Sequence, residues 1–367
     1  MDQVQSVYTD LFSKYYKGVV IKVVETLNDK QNNELDYKFK KYLRKEYSPT
    51  GKWESVNILN SRVSADFVAM DSSLPLKMRD SMGKASGDIV KSGMELFFNE
   101  KQLTEIDTMI AQGLSDTEIV SKLLSDVPRV ITGIYELMER CFLEGLSKGF
   151  TALDDKDNVG TGVRIDYGYP TANKSGVKVL WNNTEAKPLD DFRKIRKKAK
   201  NGGNKIMTVF MDDVTLEHFL ATKQVIGFFA HSRGFKEDSA VNEVPSLEDV
   251  NRALKRDSRY GFEIEVIDRT IKVERDGKRS AVTPWDEGKV IFTCSNELGV
   301  YTYARLAEQN HPVAGVSYET ADDMILVSKF RQNRPSLAEY TTSQARVVPV
   351  ICNVDSIYQL DTKQQEG

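Results

Sequence analysis

The chain predicts an α+β fold, and three features carry that expectation. Residues 56–98 hold two apolar, strand-like stretches around a long polar middle. Residues 128–149 carry a sustained helical periodicity, and the tail from Met324 returns to the period-two alternation of strands.

The first fifty residues mix short apolar clusters (VVIKVVETL) with many lysines (DYKFKKYLRKEYSPTGKW) and end at the turn Ser48-Pro49-Thr50-Gly51. They read as an arm, partly helical and partly extended, without a core of its own. Next, SVNILNSRVSADFVAMD sets Val56, Ile58, Val63, Phe67 and Val68 in imperfect alternation, and IVKSGMELFF supplies a second strand. The polar connection between them exceeds an ordinary hairpin loop, so 56–98 is expected to be a long β-hairpin whose tip reaches outward.

Ser115 stands three residues before Glu118, a capping-box spacing that opens a short helix. The run PRVITGIYELMERCFLEGLSKGF starts with Pro128, suited to a first helical turn. Its apolar face is Ile131, Ile134, Met138, Cys141, Phe142 and Gly145; the opposite face carries Glu136, Glu139, Arg140 and Lys148. The spacing predicts a helix ending near Gly149, with Cys141, Gly145 and Gly149 permitting close packing on a sheet.

Residues 159–183 switch to strand patterning with Gly and Pro punctuation. Pro188 opens the helix LDDFRKIRKKAK, closed by Asn201-Gly202-Gly203. Strand IMTVFM follows, then one or two helices in DDVTLEHFLATKQVIGFFA and a helix over 245–254. Residues 262–294 read as a strand, an Asp276-Gly277 hairpin turn and a second strand.

Few parts of an enzyme are present. Three cysteines (Cys141, Cys294, Cys352) form no CxxC pair, and three histidines (His218, His231, His311) leave little material for a metal or proton-relay site. Asp155-Lys156-Asp157-Asn158-Val159-Gly160 imitates a calcium loop but has Val159 at the third ligand position and Asp166 at the twelfth. Lys200-Asn201-Gly202-Gly203-Asn204-Lys205 has the residues of a phosphate loop without its spacing; a helix C-cap in left-handed geometry explains the glycines. No GxSxG elbow or HExxH pair occurs, and Asp190-Asp191 and Asp212-Asp213 read as helix N-terminal acids. No cofactor, metal or catalytic residue is therefore expected. The basic cluster Arg193, Lys194, Arg196, Lys197, Lys198, Lys200 and Lys205 admits two readings: a solvated helix face, or contact with DNA phosphates or another subunit.

With 51 Lys and Arg against 54 Asp and Glu, the net charge of −3 argues against a dedicated nucleic-acid binder. The N-terminus lacks the basic and apolar regions of a signal peptide, and no run nears the ~18 apolar residues of a membrane helix.

The order of elements resembles the major capsid proteins of tailed bacteriophages, in particular the lambda-like capsid protein E group with its Hong Kong 97-type fold. The resemblance lies in the arm, the hairpin like an E-loop, the long helix like a spine helix, and PLDDFRKIRKKAKNGGNKIMTVFMDDVTLEHFL like the entry to an axial domain. GKVIFTCSNELGVYTYARLAE and SQARVVPVICNVDSIYQLD resemble later strands of that group. It implies an N-terminal arm at 1–55, an E-loop at 56–100, a P domain at 101–183, an A domain at 184–310 and a return to the P domain at 311–367. It further implies self-assembly as hexamers and pentamers into an icosahedral head around double-stranded DNA, located in the virion and assembled in the host cytoplasm. Scaffolding, portal and decoration proteins are implied partners; a membrane is not. Lys77, Arg79, Asp80, Lys84 and Asp88 at the hairpin tip become candidates for subunit contact. The alternatives are an encapsulin-type nanocompartment shell with the same fold and a cytosolic α/β enzyme using residues 184–330.

Overall fold

The computed structural model describes residues 3–29, 36–55, 85–153, 163–232, 244–275, 277–333 and 336–366. The chain divides into two compact units, each assembled from separated segments. The first comprises Met1–Trp53, Gly87–Cys141 and Tyr301–Pro349; the second comprises Glu54–Ser86, Phe142–Val300 and Val350–Gly367.

The first unit is built on a seven-stranded sheet. Its main path runs Gln3–Val4, Ile325–Gln332, Ala338–Ile351, Gly299–Ala304 and Leu43–Tyr47. Ser317–Ala321 adds beside Ile325–Gln332, and Lys91–Phe98 beside Ala338–Ile351. In that last pairing Lys91–Phe98 runs antiparallel to Ala338–Ile351, with Phe97 opposite Tyr340 and Lys91 opposite Arg346. Within the expected hairpin region, Ala85–Asp88 pairs with Lys52–Ser55. Val56, Ile58, Val63, Phe67 and Val68 lie outside the described residues.

The N-terminal segment finds its burial against other segments of the first unit. Thr9–Asn28 is a helix whose Phe12, Tyr16 and Val20, spaced by four, are buried inside the first unit. It lies against strand Ser317–Ala321. Apolar residues off this stripe, such as Ile21 at 46% exposure, blur it in the sequence. Downstream, Phe39 of the short helix Lys38–Tyr42 is fully buried and stacks on Tyr135 with 6.0 Å between ring centroids.

The long helix is Val127–Lys148, and it ends where Gly149 takes φ +84°. Ile131, Ile134, Met138, Cys141 and Phe142 are buried, as their spacing predicts. A Cβ on Gly145 would fall 2.5 Å from the Tyr167 ring, so this glycine permits a close approach of that ring to the helix. The opposite face departs from expectation at Glu139, which is fully buried. Its carboxylate accepts the backbone N–H groups of Lys38 and Phe39, both at 3.0 Å, while Glu136 accepts the Tyr37 hydroxyl at 2.9 Å. Glu139 thereby caps the free N–H groups that begin the helix Lys38–Tyr42.

The second unit has a five-stranded sheet ordered Glu263–Ile267, Thr208–Asp212, Lys289–Thr293, Ile357–Gln365 and Lys174–Val177. The first and last pairs are parallel and the inner ones antiparallel. Helix Pro188–Asn201 buries Leu189, Phe192, Ile195 and Ala199 on one face. Phe192 sits among four rings: Trp181 at 5.8 Å, Phe219 at 5.3 Å, Phe262 at 5.6 Å and Phe292 at 5.3 Å. The segment after residue 212 resolves into two helices, Asp213–Leu220 and Lys223–Ser232, followed by Leu247–Arg256. Asp212 caps the first, accepting from Thr215 N at 3.0 Å and Thr215 Oγ1 at 2.6 Å. Residues 262–294 contain four strands rather than two. Ile271–Arg275 and Lys278–Val282 make a separate hairpin between the sheet strands Glu263–Ile267 and Lys289–Thr293. Its turn has Gly277 at φ +71°, and Asp276 lies outside the described residues.

Candidate assembly surfaces

Three surfaces can meet other molecules: the base of the long loop, the basic helix, and a groove in the first unit. The loop base is anchored from beneath. Trp53 is buried, and Gly87 faces its indole so closely that a Cβ would lie 2.9 Å from Nε1. Arg346, the one cation of strand Ala338–Ile351, donates to the carbonyls of Ile89 at 3.2 Å and Gly51 at 3.3 Å. Gly51 has φ +70°, and an added Cβ would strike the Arg346 guanidinium at 2.6 Å. One arginine thus ties both ends of the excursion to strand Ala338–Ile351. Of the tip candidates, Asp88 is exposed at the end of its strand, whereas Lys77, Arg79, Asp80 and Lys84 lie outside the described residues.

The basic helix divides its cations between internal and external use. Arg193 pairs with Asp190, Lys194 with Glu366, and Lys198 donates to the Ala172 carbonyl. Arg196 forks onto the carbonyls of Arg259 at 2.8 Å and Ser258 at 2.9 Å. Lys197, Lys200 and Lys205 are exposed and have no partner among the described residues. Under the same helix, burial pushes the Asp191 carboxyl up to about 6, although Trp181 Nε1 donates to it at 3.0 Å. The glycines at the helix end do the work of a C-cap: Gly203 has φ +75°, and the N–H groups of Gly202, Gly203 and Asn204 close on Lys198, Lys200 and Ala199. With those donors engaged, the loop offers no cradle for a phosphate.

In the first unit, Asp322 and Asp323 form the turn between strands Ser317–Ala321 and Ile325–Gln332, both left-handed at φ 50° and 58°. Asp322 accepts from the Tyr135 hydroxyl at 2.7 Å and lies 3.2 Å from Lys45 and 3.4 Å from Lys40. Beside this node lies a groove of about 760 Å³ lined by Tyr47, Tyr303, Tyr318, Arg305, Glu308 and Glu319 among others. Tyr47 is 47% exposed and meets Tyr303 at 5.4 Å, while the Lys45 ammonium stands 5.3 Å over the Tyr303 ring. Tyr318 donates to Glu308 at 2.7 Å. Neither Glu308 nor Glu319 has an ion pair among the described residues; burial raises the Glu319 carboxyl's pKa, with the charge of Lys17 opposing.

Sequence reasoning found the basic helix but missed Arg346, Glu139 and this groove. A single arginine inside ARVVPV was the one available signal. Among the described residues no three His, Cys, Asp or Glu side chains are placed to hold a metal ion, and no helix is long and apolar enough to cross a membrane. The calcium-loop imitation at 155–160 lies outside the described residues. His218 is half-buried on helix Asp213–Leu220.

Residues 131–320 match the family model described as Phage major capsid protein E. A protein assigned as the capsid protein of a prophage of E. coli CFT073 superposes with TM-score 0.56 at 12% identity, covering 94% of this chain and 98% of that one. A phage-related protein of Bordetella bronchiseptica RB50 gives TM-score 0.51 at 10% identity, covering 99% of both chains. At such identities the likeness is one of fold, and the fold is the α+β Hong Kong 97 type. No curated protein matches the chain.

Proposed function

The chain belongs to the phage major capsid protein E family, and from that premise we propose how its surfaces build a shell. It is a major capsid protein of a tailed-phage head, a structural component of the virion and not an enzyme. The match over residues 131–320, which takes in most of the long helix and most of the second unit, carries this conclusion.

The proposed assembly is of hexamers and pentamers closing an icosahedral shell around double-stranded DNA. The proposed division follows the capsid pattern, with an arm at 1–55, an E-loop at 56–100, a P domain at 101–183, an A domain at 184–310 and a P-domain return at 311–367. The loop tip, with Lys77, Arg79, Asp80, Lys84 and Asp88, is assigned to subunit contact. Supporting this is the base of the loop, where Arg346 fixes the residues from which the excursion leaves and returns. The DNA is held without sequence specificity, in keeping with a net charge of −3 on the whole chain. Scaffolding, portal and decoration proteins complete the proposed set of partners.

Electron microscopy of the purified, expressed chain tests the reading. Closed shells of uniform size are expected, with a scaffold supplied where needed. A protein that stays monomeric under every assembly condition tried would overturn it.

A further inference from the structure

The groove in the first unit has the chemistry of a lysine receptor. Tyr47 and Tyr303 line it, Tyr47 47% exposed, and Lys45 already rests over the Tyr303 ring, showing that an ammonium suits this position. Asp323 is used up by Lys45 at 2.8 Å. Glu308 and Glu319 form no ion pair among the described residues, and the groove's lining holds a single cation, Arg305. Glu319 is half-buried, so its charge has lost water, and Lys17 acts on it without forming an ion pair. An incoming ammonium would supply both a partner for these carboxylates and a cation for the tyrosine faces.

The same chain carries the complementary surface. Lys197 and Lys200 stand three apart on helix Pro188–Asn201, a spacing that puts them on one face, and Lys205 follows just past the helix end. All three are exposed and unpartnered among the described residues, although the other four cations of the cluster are engaged within the second unit. A protein that binds many copies of itself has reason to keep two complementary charged surfaces unsatisfied within one subunit. We propose that the Tyr47–Tyr303–Glu308–Glu319 groove of one subunit receives the Lys197–Lys200–Lys205 face of a second copy of the chain. This inference rests on the capsid reading and names one of its subunit contacts. The contact is heterologous: groove and lysine face belong to different units of the chain, so each subunit gives one and receives another. Repetition of such a contact generates rings and lattices rather than isolated pairs.

Charge reversal tests it. Shell yield is measured by sedimentation and electron microscopy for wild type, K197E/K200E/K205E, E308K/E319K and the chain carrying all five changes. Each reversed chain alone is expected to lose about tenfold or more in yield, since like charges then face each other, and the fivefold variant should recover most of it. E308Q/E319Q, which keeps the shape of the groove, should show a smaller loss. Independently, subunits with K200C and subunits with E319C are co-assembled and oxidised. The native thiols do not compete, because Cys141 and Cys352 are buried and burial pushes Cys294 up to about 12. A covalent dimer is expected from the mixture and not from either chain alone. Shells that form at wild-type yield from K197E/K200E/K205E, or that give no disulfide, overturn the contact. Normal shells with reduced DNA content would overturn it in favour of a DNA-facing lysine surface. A wild type that forms no shells at all is a different failure, that of the capsid reading itself.

Discussion

Each of the two units is held together internally by a different kind of interaction. The second surrounds Phe192 with four other aromatic rings and keeps its arginines and lysines outside. The first buries charge: Lys329 is 1% exposed, Glu339 and Glu139 are fully buried, and Lys40, Lys45, Asp322 and Tyr135 form a half-buried node. Lys329 donates to the Leu123 carbonyl at 3.0 Å and Thr341 Oγ1 at 2.8 Å, with the rings of Phe12 and Phe98 at 5.2 and 5.8 Å. That one ammonium therefore touches four segments remote in sequence. An apolar core can absorb substitutions of similar volume, whereas a buried polar joint depends on each partner being in place.

The largest effect expected from this difference is in the aromatic unit. Phe192→Ala removes the ring shared by Trp181, Phe219, Phe262 and Phe292, and should cost about 3–5 kcal/mol in urea unfolding. Phe192→Leu should cost much less, because volume is largely kept. Equal losses for the two would mean that the ring geometry, and not volume, sets the stability of this unit.

In the first unit the test is a cycle. Glu339→Leu alone leaves Lys329 buried without the carboxylate that acts on it most strongly and should cost about 3 kcal/mol. The double change K329M/E339L removes both charges and should recover most of that loss. If the double variant is as unstable as the single one, the charges are not the reason for the cost.

This contrast also sets what could be read from sequence. In the second unit, function and pattern coincide: Pro188 starts a helix, glycines end it, and Leu189, Phe192, Ile195 and Ala199 recur at helical spacing. Asp212 stands where a cap should be. In the first unit, Glu139 occupies a position on the polar face of its helix and gives the same periodic signal whether it meets water or the N–H groups of Lys38 and Phe39, about a hundred residues away. The N-terminal helix is hidden for a related reason, since apolar residues on its exposed side, such as Ile21, blur its stripe of Phe12, Tyr16 and Val20. For the assembly surfaces, the seven cations of the basic cluster were visible as a group. Which of them are spent internally depends on carbonyls of Ser258, Arg259 and Ala172, and no local pattern records those.

Glu139→Ala should fall between the two core tests and a surface change. It leaves the N–H groups of Lys38 and Phe39 without their acceptor, at a cost of about 1–3 kcal/mol. Glu139→Gln retains an acceptor oxygen and should restore part of it. Loss of the helix Lys38–Tyr42 alone, seen as faster amide exchange there with the long helix still protected, would mark the defect as local.

The smallest effect is in pH, where the two units should respond with opposite sign. Burial lowers the Lys329 ammonium from its ordinary 10.5 to about 8, with Glu339 and Asp126 opposing the shift. Between those values the unfolded chain holds a proton that the folded chain has released, so this residue adds stability as pH rises, by about 1 kcal/mol from pH 8 to pH 9. Cys294 does the reverse. Burial raises its thiol from 9.0 to about 12, so the unfolded chain loses the proton first and stability falls as pH rises through 9. Urea unfolding of wild type, Lys329→Met and Cys294→Ala at pH 7, 8 and 9 separates them. Relative to wild type, the methionine variant should lose the rising component and the alanine variant the falling one. Parallel curves for all three chains would show that neither burial governs the titration, and that the polar and aromatic units differ in composition without differing in their response to protons.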